Sequence, residues 1–351
     1  MKKLVQFQEG STKDGSSLAS VYRFPAAPFG PSPAYSSAPL NETGAEDVYS
    51  VSLDRPTVNF GVAVEAQSQG AAIDPFVLGS LDESDVQGMP ALPVNVNSLM
   101  DTYTLPNGAA AGMFSLVGRF YVSVDSGLDE FTGASLAGRY VLRAWIDDLD
   151  PPEVTLETVR VSHRRPLLAA RILDEGAGVD PLTLVVSYGD VLVGASDYDP
   201  IDGLALFPIP EEAAELKVGK TKITISASDY QESKNVQSFG TDLFPNTVFF
   251  KATVEVDPKR TAVSWLSPAE SACAEKRTEL FVAAEGPKKI ARVRFLDGER
   301  VIGVDRKSVS GLFSVTWRTG KAAKGKHTLT AEAVDAKGRT ESATRVLRVC
   351  R

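Results

Sequence analysis

Hydrophobic and polar residues alternate at every second position over many short stretches of this chain, which is the pattern of half-buried β-strands. The alternation begins at residues 47–53 and resumes at 58–64, beyond a turn at 54–56, so we predict a hairpin there. Further strands are predicted at 120–124 and 140–145, where they close the sheet.

Segments rich in Gly, Pro, Ser and Asn interrupt this alternation and predict loops. Residues 1–45 are mostly of this kind, with one strand-like piece at 18–24. Residues 66–112 predict loops with one or two strands. Helical patterns are nearly absent, and the best candidate is 210–216, where a leading proline followed by two glutamates fits one or two helical turns.

Beyond residue 150 the strand patterns are shorter and tight turns separate them. We predict hairpins at Gly189, at Gly298 and over 335–338. About seven strands in roughly 105 residues is typical of an immunoglobulin-type sandwich.

The predicted fold class is therefore all-β, with three tandem β-sandwich domains, the first jelly-roll-like and the other two immunoglobulin-like. We predict a loop-rich lead-in or tether at 1–45, a first sandwich at 46–148, a second at 149–257 and a third at 258–351. A length of 351 residues allows each sandwich to bury a core of its own.

Charge is distributed unevenly along the chain. Residues 258–351 carry 20 Lys+Arg against 10 Asp+Glu, which leaves about +10 there and about -18 on residues 1–257. A basic module favours an anionic partner such as a cell-wall polymer, and the alternative is a solvated surface that happens to be basic. No nucleic-acid partner is predicted.

Targeting and membrane signals are weak. The N-terminal MKKLVQFQEG lacks the apolar run of a signal peptide, so we expect the chain to begin inside a longer secreted protein. Because no stretch of about 18 apolar residues occurs, no membrane span is predicted.

Common catalytic patterns are not found in the sequence. The two histidines, His163 and His327, fall in different predicted sandwiches, which argues against a Ser-His-Asp arrangement. A Gly-Lys-Thr run at 219–221 follows Ala214, where a phosphate-binding loop needs glycine. Two cysteines and two histidines at these spacings match no zinc site. We therefore predict no catalytic residue and no organic cofactor.

Carboxylates are the chemical signal that remains. Asp147, Asp148, Asp150 and Glu153 crowd the end of the first predicted sandwich, and oxygen-rich linkers of this sort bind calcium. Three further aspartates lie within 197–202, at a spacing that misses the EF-hand pattern. For both clusters the alternative is turn-forming aspartates that face water.

Three tyrosines, Tyr188, Tyr198 and Tyr230, lie in or beside predicted turns of the second sandwich. Glycan binding would need such aromatics to be exposed in a stripe. The alternative is that they cover the edges of the core.

The two cysteines, Cys273 and Cys350, lie near the two ends of the third predicted sandwich. A disulfide there would close a long loop and stabilise the fold by roughly 4 kcal/mol in the chain-entropy estimate. It would also favour an oxidising, extracellular setting. Two buried free thiols are the alternative.

Longer stretches resemble known families. EDVYSVSLDRPTVNFGVAV, GRFYVSVDSG and AGRYVLRAW resemble the small β-sandwich called the prepeptidase C-terminal domain, which follows the catalytic domain of many secreted bacterial proteases. DEGAGVDP and the phrase at 325–338 resemble bacterial immunoglobulin-like modules. With SASDYQESKN and WLSPAESACAEKRTELFVAA, they make residues 118–351 similar to the region after the catalytic domain in large secreted subtilisin-like serine proteases of actinobacterial type.

This resemblance implies a non-catalytic accessory region that positions or stabilises a covalently linked or adjacent protease domain. It also implies an extracellular location, including association with the cell wall. The family's catalytic Asp, His and Ser motifs have no counterpart in this sequence, so no catalytic residue is carried over. The alternative is a free-standing extracellular adhesion protein that binds cell-wall material or glycans.

Overall fold

The structure is a computed structural model that describes residues 4–11, 21–22, 29–30, 47–53, 60–67, 73–78, 109–113, 118–126, 131–132, 139–146, 148, 150–199, 202–230 and 246–350. These residues form β-strands, turns and two short 3-10 turns at Pro181–Thr183 and Thr319–Lys321. The fold is all-β with tandem β-sandwiches, which confirms the predicted fold class.

The chain divides into two compact units. The first comprises Met1–Glu153, Leu173–Leu184 and Ser226–Val248, and the second comprises Val154–Ile172, Val185–Ile225 and Phe249–Arg351. The predicted domain boundaries at 45/46, 148/149 and 257/258 stay predictions.

Strands before residue 147 form two sheets. The first sheet has the order β1 (Leu4–Ser11), β9 (Arg139–Ile146), β5 (Phe60–Gln67) and β7 (Ala109–Met113). The second has the order β2 (Val21–Tyr22), β4 (Asp47–Leu53), β8 (Gly118–Ser126) and β6 (Ile73–Leu78), with β3 (Phe29–Gly30) beside β4.

The hairpin predicted across residues 54–56 is wrong, although both of its strands form. β4 pairs with β8 and β5 pairs with β9, so consecutive strands lie in different sheets. A two-residue period shows which residues are extended, but it does not specify the partner strand. β1 lies in residues 1–45, which were predicted as mostly loop. It nevertheless pairs antiparallel with β9 along its whole length.

Close packing of β5 on β9 depends on Gly61. This glycine stands opposite Trp145 in the strand register, and Trp145 is fully buried. A Cβ atom on Gly61 would lie 2.1 Å from Cζ2 of Trp145, so any side chain there would collide with the indole. The indole therefore takes the space beside the strand that a side chain at 61 would fill.

The next two sheets contain the strands from residue 153 to residue 256. One has the order β10 (Glu153–Leu156), β12 (Leu167–Leu173), β16 (Leu204–Pro208) and β15 (Asp197–Tyr198). The other has the order β11 (Arg160–Val161), β18 (Thr247–Val256), β17 (Gly219–Ser228), β13 (Val185–Tyr188) and β14 (Val191–Gly194). The hairpin predicted at Gly189 is confirmed, since β13 pairs with β14 across this residue and its φ of 55° suits glycine.

The helix predicted at 210–216 does not form. A single turn, in which the N–H of Ala213 donates to the carbonyl of Pro210 at 3.2 Å, is followed by extended chain. The N–H of Leu216 then donates to the carbonyl of Arg164 at 2.9 Å, and the Leu216 side chain is fully buried. Such long-range contacts outweigh the helix preference of a stretch too short to be stable alone.

The last two sheets contain the strands from residue 262 to residue 349. One has the order β19 (Ala262–Ser267), β21 (Arg277–Glu285) and β24 (Leu312–Arg318). The other has the order β20 (Cys273–Ala274), β26 (Thr340–Val349), β25 (Gly325–Asp335), β22 (Ile290–Asp297) and β23 (Arg300–Asp305). β22 pairs with β23 and β25 with β26, which confirms the hairpins predicted at Gly298 and over 335–338.

Trp265 organises the core of these last strands. Its ring packs edge-on against Phe295 at a centroid distance of 5.8 Å. Its indole N–H donates to the carbonyl of Ala343 at 2.9 Å, so the polar atom of a buried aromatic is satisfied.

The predicted disulfide between Cys273 and Cys350 is present. Their Cα atoms lie 5.6 Å apart, and the bridge spans 77 positions of the sequence. β20 carries Cys273 and runs parallel to the end of β26, just before Cys350, so the two sulfurs are brought together by strand pairing.

Candidate functional site

Three aspartates from distant parts of the chain come together in the first unit. Asp148 follows β9, Asp174 follows β12 and Asp229 follows β17. We call them the aspartate cluster; one oxygen from each lies within 4.8 Å of the others, and Asp148 and Asp229 are fully buried. Two ionised carboxylates at this separation repel by at least about 3 kcal/mol at an effective dielectric constant of about 20. The cluster therefore needs donors or a cation around it.

Main-chain N–H groups of residues 176–178 supply part of this compensation. Oδ1 of Asp174 accepts from the N–H groups of Gly176 and Gly178 at 2.9 and 2.7 Å. Oδ2 of Asp148 accepts from the N–H of Ala177 at 2.6 Å. A Cβ on Gly176 would lie 2.1 Å from Cγ of Asp148, so only glycine lets the loop approach this carboxylate so closely.

Arg143 holds the same loop from its other side. Its Nη1 donates to the carbonyls of Gly176 at 2.9 Å and of Asp174 at 3.3 Å, and the side chain is buried. The loop is thus fixed both by an arginine on its carbonyls and by carboxylates on its N–H groups.

Asn246 contacts the cluster through its amide. Its Nδ2 donates to Oδ2 of Asp229 at 2.6 Å, and the N–H of Asp229 donates to the carbonyl of Asn246 at 3.2 Å. Asn246 is fully buried, and its side-chain oxygen Oδ1 has no hydrogen-bond partner in the described part of the chain. A buried amide oxygen without a partner is uncommon and calls for an explanation.

The structure brings together a different set of acids from the one predicted. Asp148 lies in the aspartate cluster, whereas Asp150 and Glu153 are exposed and lie outside it. The N–H of Asp150 is 3.5 Å from Oδ1 of Asp148, so the main chain of Asp150 contacts the cluster. Asp147 lies outside the described residues.

Asp174 and Asp229 were not predicted to join Asp148. Each of the three comes directly after, or shortly after, a strand of the structure. Their position at strand ends is the signal that the sequence offers, because acids at the ends of strands can meet at one edge of a sandwich.

The second predicted acidic group, within 197–202, does not converge on one point among the described residues. Asp202 instead binds Nη1 of Arg171 at 2.6 Å. Burial raises the pKa of Asp197 above its ordinary value, the N–H of Tyr198 opposes this rise and the nearby Asp199 adds to it. These aspartates therefore serve an ion pair and a turn.

A buried ion network lies in the second unit. Oε1 of Glu157 accepts from Nε of Arg171 at 3.1 Å, and Oε2 accepts from Nη2 of Arg345 at 2.8 Å. The three side chains are 12%, 9% and 8% exposed respectively. Each guanidinium also donates to main-chain carbonyls, Arg171 to Leu266 at 2.5 Å and Arg345 to Trp265 at 2.8 Å. We call this set the ionic joint, because it links residues of the second and third predicted sandwiches.

A cleft of about 360 Å³ also lies in the second unit. Its lining includes the basic side chains of His163, Arg165, Lys288 and Lys289. Glu285 lies in the same wall, and its carboxylate accepts from the N–H groups of Ser162 and His163. Ser308 and Ser310 add hydroxyl groups to the lining. We call this the basic cleft.

Both histidines take part in structural contacts. Nε2 of His163 lies 3.1 Å from the carbonyl of Gly286. The ring nitrogens of His327 lie 2.9 Å from Oδ2 of Asp297 and 2.8 Å from the carbonyl of Ala323. Burial lowers the pKa of His327, but these two acceptors outweigh it and raise the pKa above the ordinary 6.5.

The three tyrosines considered for glycan binding are buried. Tyr188, Tyr198 and Tyr230 are 7%, 5% and 1% exposed. The hydroxyls of Tyr188 and Tyr198 donate to main-chain carbonyls, at 2.7 and 3.1 Å. They cover core edges, which was the alternative interpretation.

In the part of the chain that the structure describes, no helix has the length and apolar character needed to cross a bilayer.

Comparison with protein-family models finds one match here, to a family described as Bacterial Ig domain, over residues 262–331. This supports the immunoglobulin-like character of the last sandwich. Comparison with curated proteins gives no match.

Solved structures that match parts of this chain include fibronectin(III)-like modules of CbhA from Clostridium thermocellum, at 23% identity and a TM-score of 0.22, over 25% of this chain and 96% of that one. Dimeric latent PorU from Porphyromonas gingivalis matches at 11% identity and a TM-score of 0.38, over 98% of this chain and 34% of that one. The adhesin domain of Epf from Streptococcus pyogenes matches at 13% identity and a TM-score of 0.24, over 61% of this chain and 74% of that one. This chain thus spans about a third of PorU. At such low identities and TM-scores, these likenesses imply nothing about what this chain binds or does.

Proposed function

We propose that this chain is a non-catalytic extracellular accessory region of a secreted subtilisin-like serine protease, and that its last two sandwiches act as one stiff spacer. The ionic joint is the observation that carries the proposal. A spacer holds its neighbours at a fixed distance only if its modules do not bend against each other. A buried charged joint supplies that resistance, because bending it would expose or separate paired charges.

The interactions within the ionic joint favour one fixed arrangement of the two sandwiches. Separating Glu157 from Arg171 and Arg345 leaves buried charges without their partner, which costs about 3–5 kcal/mol in comparable cases. Hydrogen bonds from the two arginines to main-chain carbonyls are directional, so a small rotation weakens several contacts together. Glu285 adds a second contact by accepting from the N–H groups of Ser162 and His163.

Other features support the remaining parts of the proposal. The disulfide fits an oxidising, extracellular environment. The histidine rings make structural contacts, His163 with Gly286 and Glu285 and His327 with Asp297. The link to a protease rests on the resemblance of residues 118–351 to the region that follows subtilisin-like catalytic domains.

The coding sequence adjoining Met1 tests the protease link directly. An in-frame subtilisin-like domain supports the proposal, and a stand-alone secreted gene without one contradicts it. Hydrolysis of fluorogenic peptide or glycoside substrates by the purified chain would overturn the non-catalytic part.

Small-angle X-ray scattering tests the stiff spacer. We expect the wild-type chain to scatter as a less flexible particle than a Glu157→Ala variant, because the variant lacks the centre of the joint. A Glu255→Ala variant is the matched control, since Glu255 forms an exposed ion pair with Arg160 at 3.3 Å in the same unit. Identical flexibility of wild type and Glu157→Ala would contradict the stiffness.

The basic cleft favours a second candidate function, adhesion to an anionic cell-wall polymer. Lys288 and Lys289 are exposed beside Arg165 and His163, so their charges are available to an extended anionic chain. The carboxylate of Glu285 is directed at the main chain, where it accepts from the N–H groups of Ser162 and His163. The overall excess of basic residues in 258–351 extends the attraction beyond the cleft.

Retention on purified anionic wall polymer tests this second function. We expect salt-sensitive retention that falls in a Lys288→Ala, Lys289→Ala double variant and persists in a Lys324→Ala, Lys326→Ala variant, which removes the same charge from another exposed site. No retention of the wild type at low salt would remove this function. If both double variants lose the same amount of retention, the binding is a general charge attraction and does not depend on the basic cleft.

A further inference from the structure

We propose that the aspartate cluster, completed by the side-chain oxygen of Asn246, binds one calcium ion. This inference is independent of the spacer and adhesion functions, since all of its residues lie in the first unit. Calcium prefers carboxylate and amide oxygens, and the cluster offers both kinds.

The dimensions of the cluster fit one coordination sphere. Calcium binds oxygens at about 2.3–2.6 Å, so two of its ligands lie at most about 5 Å apart. One oxygen from each of the three aspartates already lies within 4.8 Å of the others, so no large movement is needed. The donor atoms are all hard oxygens without nitrogen or sulfur, which disfavours zinc and copper.

The charge of the site also favours a divalent cation. The cluster contributes three carboxylates, two of them fully buried. Arg143 directs Nη1 to the main-chain carbonyls of Asp174 and Gly176, which shapes the loop. Carboxylates gathered this closely repel one another, and a divalent cation between them would turn that repulsion into attraction.

A carboxylate can accept N–H groups and bind a metal at the same time, because an ionised carboxylate has about four lone-pair sites. Oδ1 of Asp174 accepts two main-chain N–H groups and Oδ2 of Asp148 accepts one. The hydrogen bonds therefore orient the carboxylates in the way that outer contacts orient metal ligands.

Asn246 provides the observation that points to a ligand. Its amide is fully buried and directed at the carboxylate of Asp229, yet its Oδ1 accepts nothing from the described residues. The two ends of an amide have nearly the same shape, so rotation by half a turn exchanges Nδ2 and Oδ1. In the rotated state Oδ1 faces the Asp229 carboxylate, and a calcium ion bound by both oxygens makes that arrangement favourable.

Calcium is favoured over magnesium by the burial of the site. Magnesium keeps several waters and demands a regular octahedron, whereas calcium accepts six to eight protein oxygens in flexible geometry. Asp148, Asp229 and Asn246 are fully buried, so protein oxygens rather than bulk water surround this part of the site, which suits calcium better than magnesium.

Calorimetric titration of the EDTA-treated full chain with CaCl₂ is the primary test. We expect one bound calcium per chain, with a dissociation constant in the range of about 0.1–1 mM that extracellular modules show. At a hundredfold excess over that constant, the melting temperature should rise by about 5 °C or more. No binding up to about 10 mM CaCl₂ would overturn the proposal, and equal stabilisation by MgCl₂ would overturn the assignment to calcium.

Variants then locate the ion. Asp229→Asn should abolish calcium-dependent stabilisation, whereas Asp150→Asn and Glu153→Gln, which change exposed acids outside the cluster, should retain it. Asn246→Ala leaves every carboxylate in place and should weaken calcium at least about tenfold, so it serves if Asp229→Asn does not fold. Unchanged calcium affinity in Asn246→Ala, or loss of binding in Asp150→Asn, would overturn the assignment of these ligands.

Discussion

The ionic joint predicts a large loss of stability when Glu157 is replaced by glutamine. The substitution keeps the shape of the side chain but removes the negative charge that Arg171 and Arg345 share. At an effective dielectric constant of about 20, each of these contacts, at 3.1 and 2.8 Å, corresponds to an attraction of roughly 5 kcal/mol.

The net effect is smaller than this sum for two reasons. Glutamine is easier to dehydrate than glutamate, and each arginine keeps a second acid, Asp202 for Arg171 and Glu270 for Arg345 at 3.6 Å. Measured losses on breaking buried pairs are about 3–5 kcal/mol, and we expect a value in that range. For a unit of this size the melting temperature should fall by about 10 °C.

Chemical denaturation followed by circular dichroism, with thermal melting beside it, measures this loss. Glu255→Gln is the control, because its pair with Arg160 is about half exposed and should contribute less than about 1 kcal/mol. A triple variant with Glu157→Met, Arg171→Met and Arg345→Leu separates charge from packing, since apolar replacement of a whole buried network is often neutral or stabilising. If Glu157→Gln loses no more than Glu255→Gln, the reasoning from burial is refuted.

Three further predictions concern other parts of the chain. Gly61→Val should destabilise the first unit by about 3 kcal/mol in urea unfolding, because the added side chain collides with Trp145, whereas Gly194→Ala, where nothing lies within 4 Å, should change stability little. The raised pKa of His327 stabilises the folded state fully below pH 6.5, and this contribution is lost as the pH rises through the folded pKa. The unfolding free energy of the wild type, measured at several pH values, should therefore fall over that window. In His327→Asn the unfolding free energy should depend less on pH. Reduction of the disulfide should lower the stability of the third sandwich by roughly 4 kcal/mol. Equal melting temperatures of the reduced and oxidised proteins would contradict the loop-closure estimate.

Local features of the fold could be predicted from the sequence, and partners distant along the chain could not. The hairpins at Gly189 and Gly298 depend on residues within a few positions of each other, so their turn chemistry is visible. Strands β4 and β5 were located correctly, but the choice of partner depends on which sheet each strand joins. The disulfide was predictable because the chain has two cysteines, which leaves one intramolecular pairing.

The candidate sites show the same limit more sharply. Asp148 stands out in the sequence because acids crowd around it, yet the structure pairs it with Asp174 and Asp229 instead of its neighbours. Glu157 and Arg345 are 188 positions apart, and neither is unusual in its local sequence. Charge networks of this kind result from how sandwiches pack, and no local pattern encodes that packing.

The disulfide also determines how the third sandwich responds to tension. A pulling force applied beyond Cys350 passes through the covalent bridge to Cys273, so the segment between them carries none of it. Without the bridge, unravelling those 77 positions would lengthen the chain by roughly 260 Å. For a protein held at a surface in flowing medium, the bridge therefore limits the extension of this sandwich to the few residues before Cys273, including β19, until a covalent bond is broken.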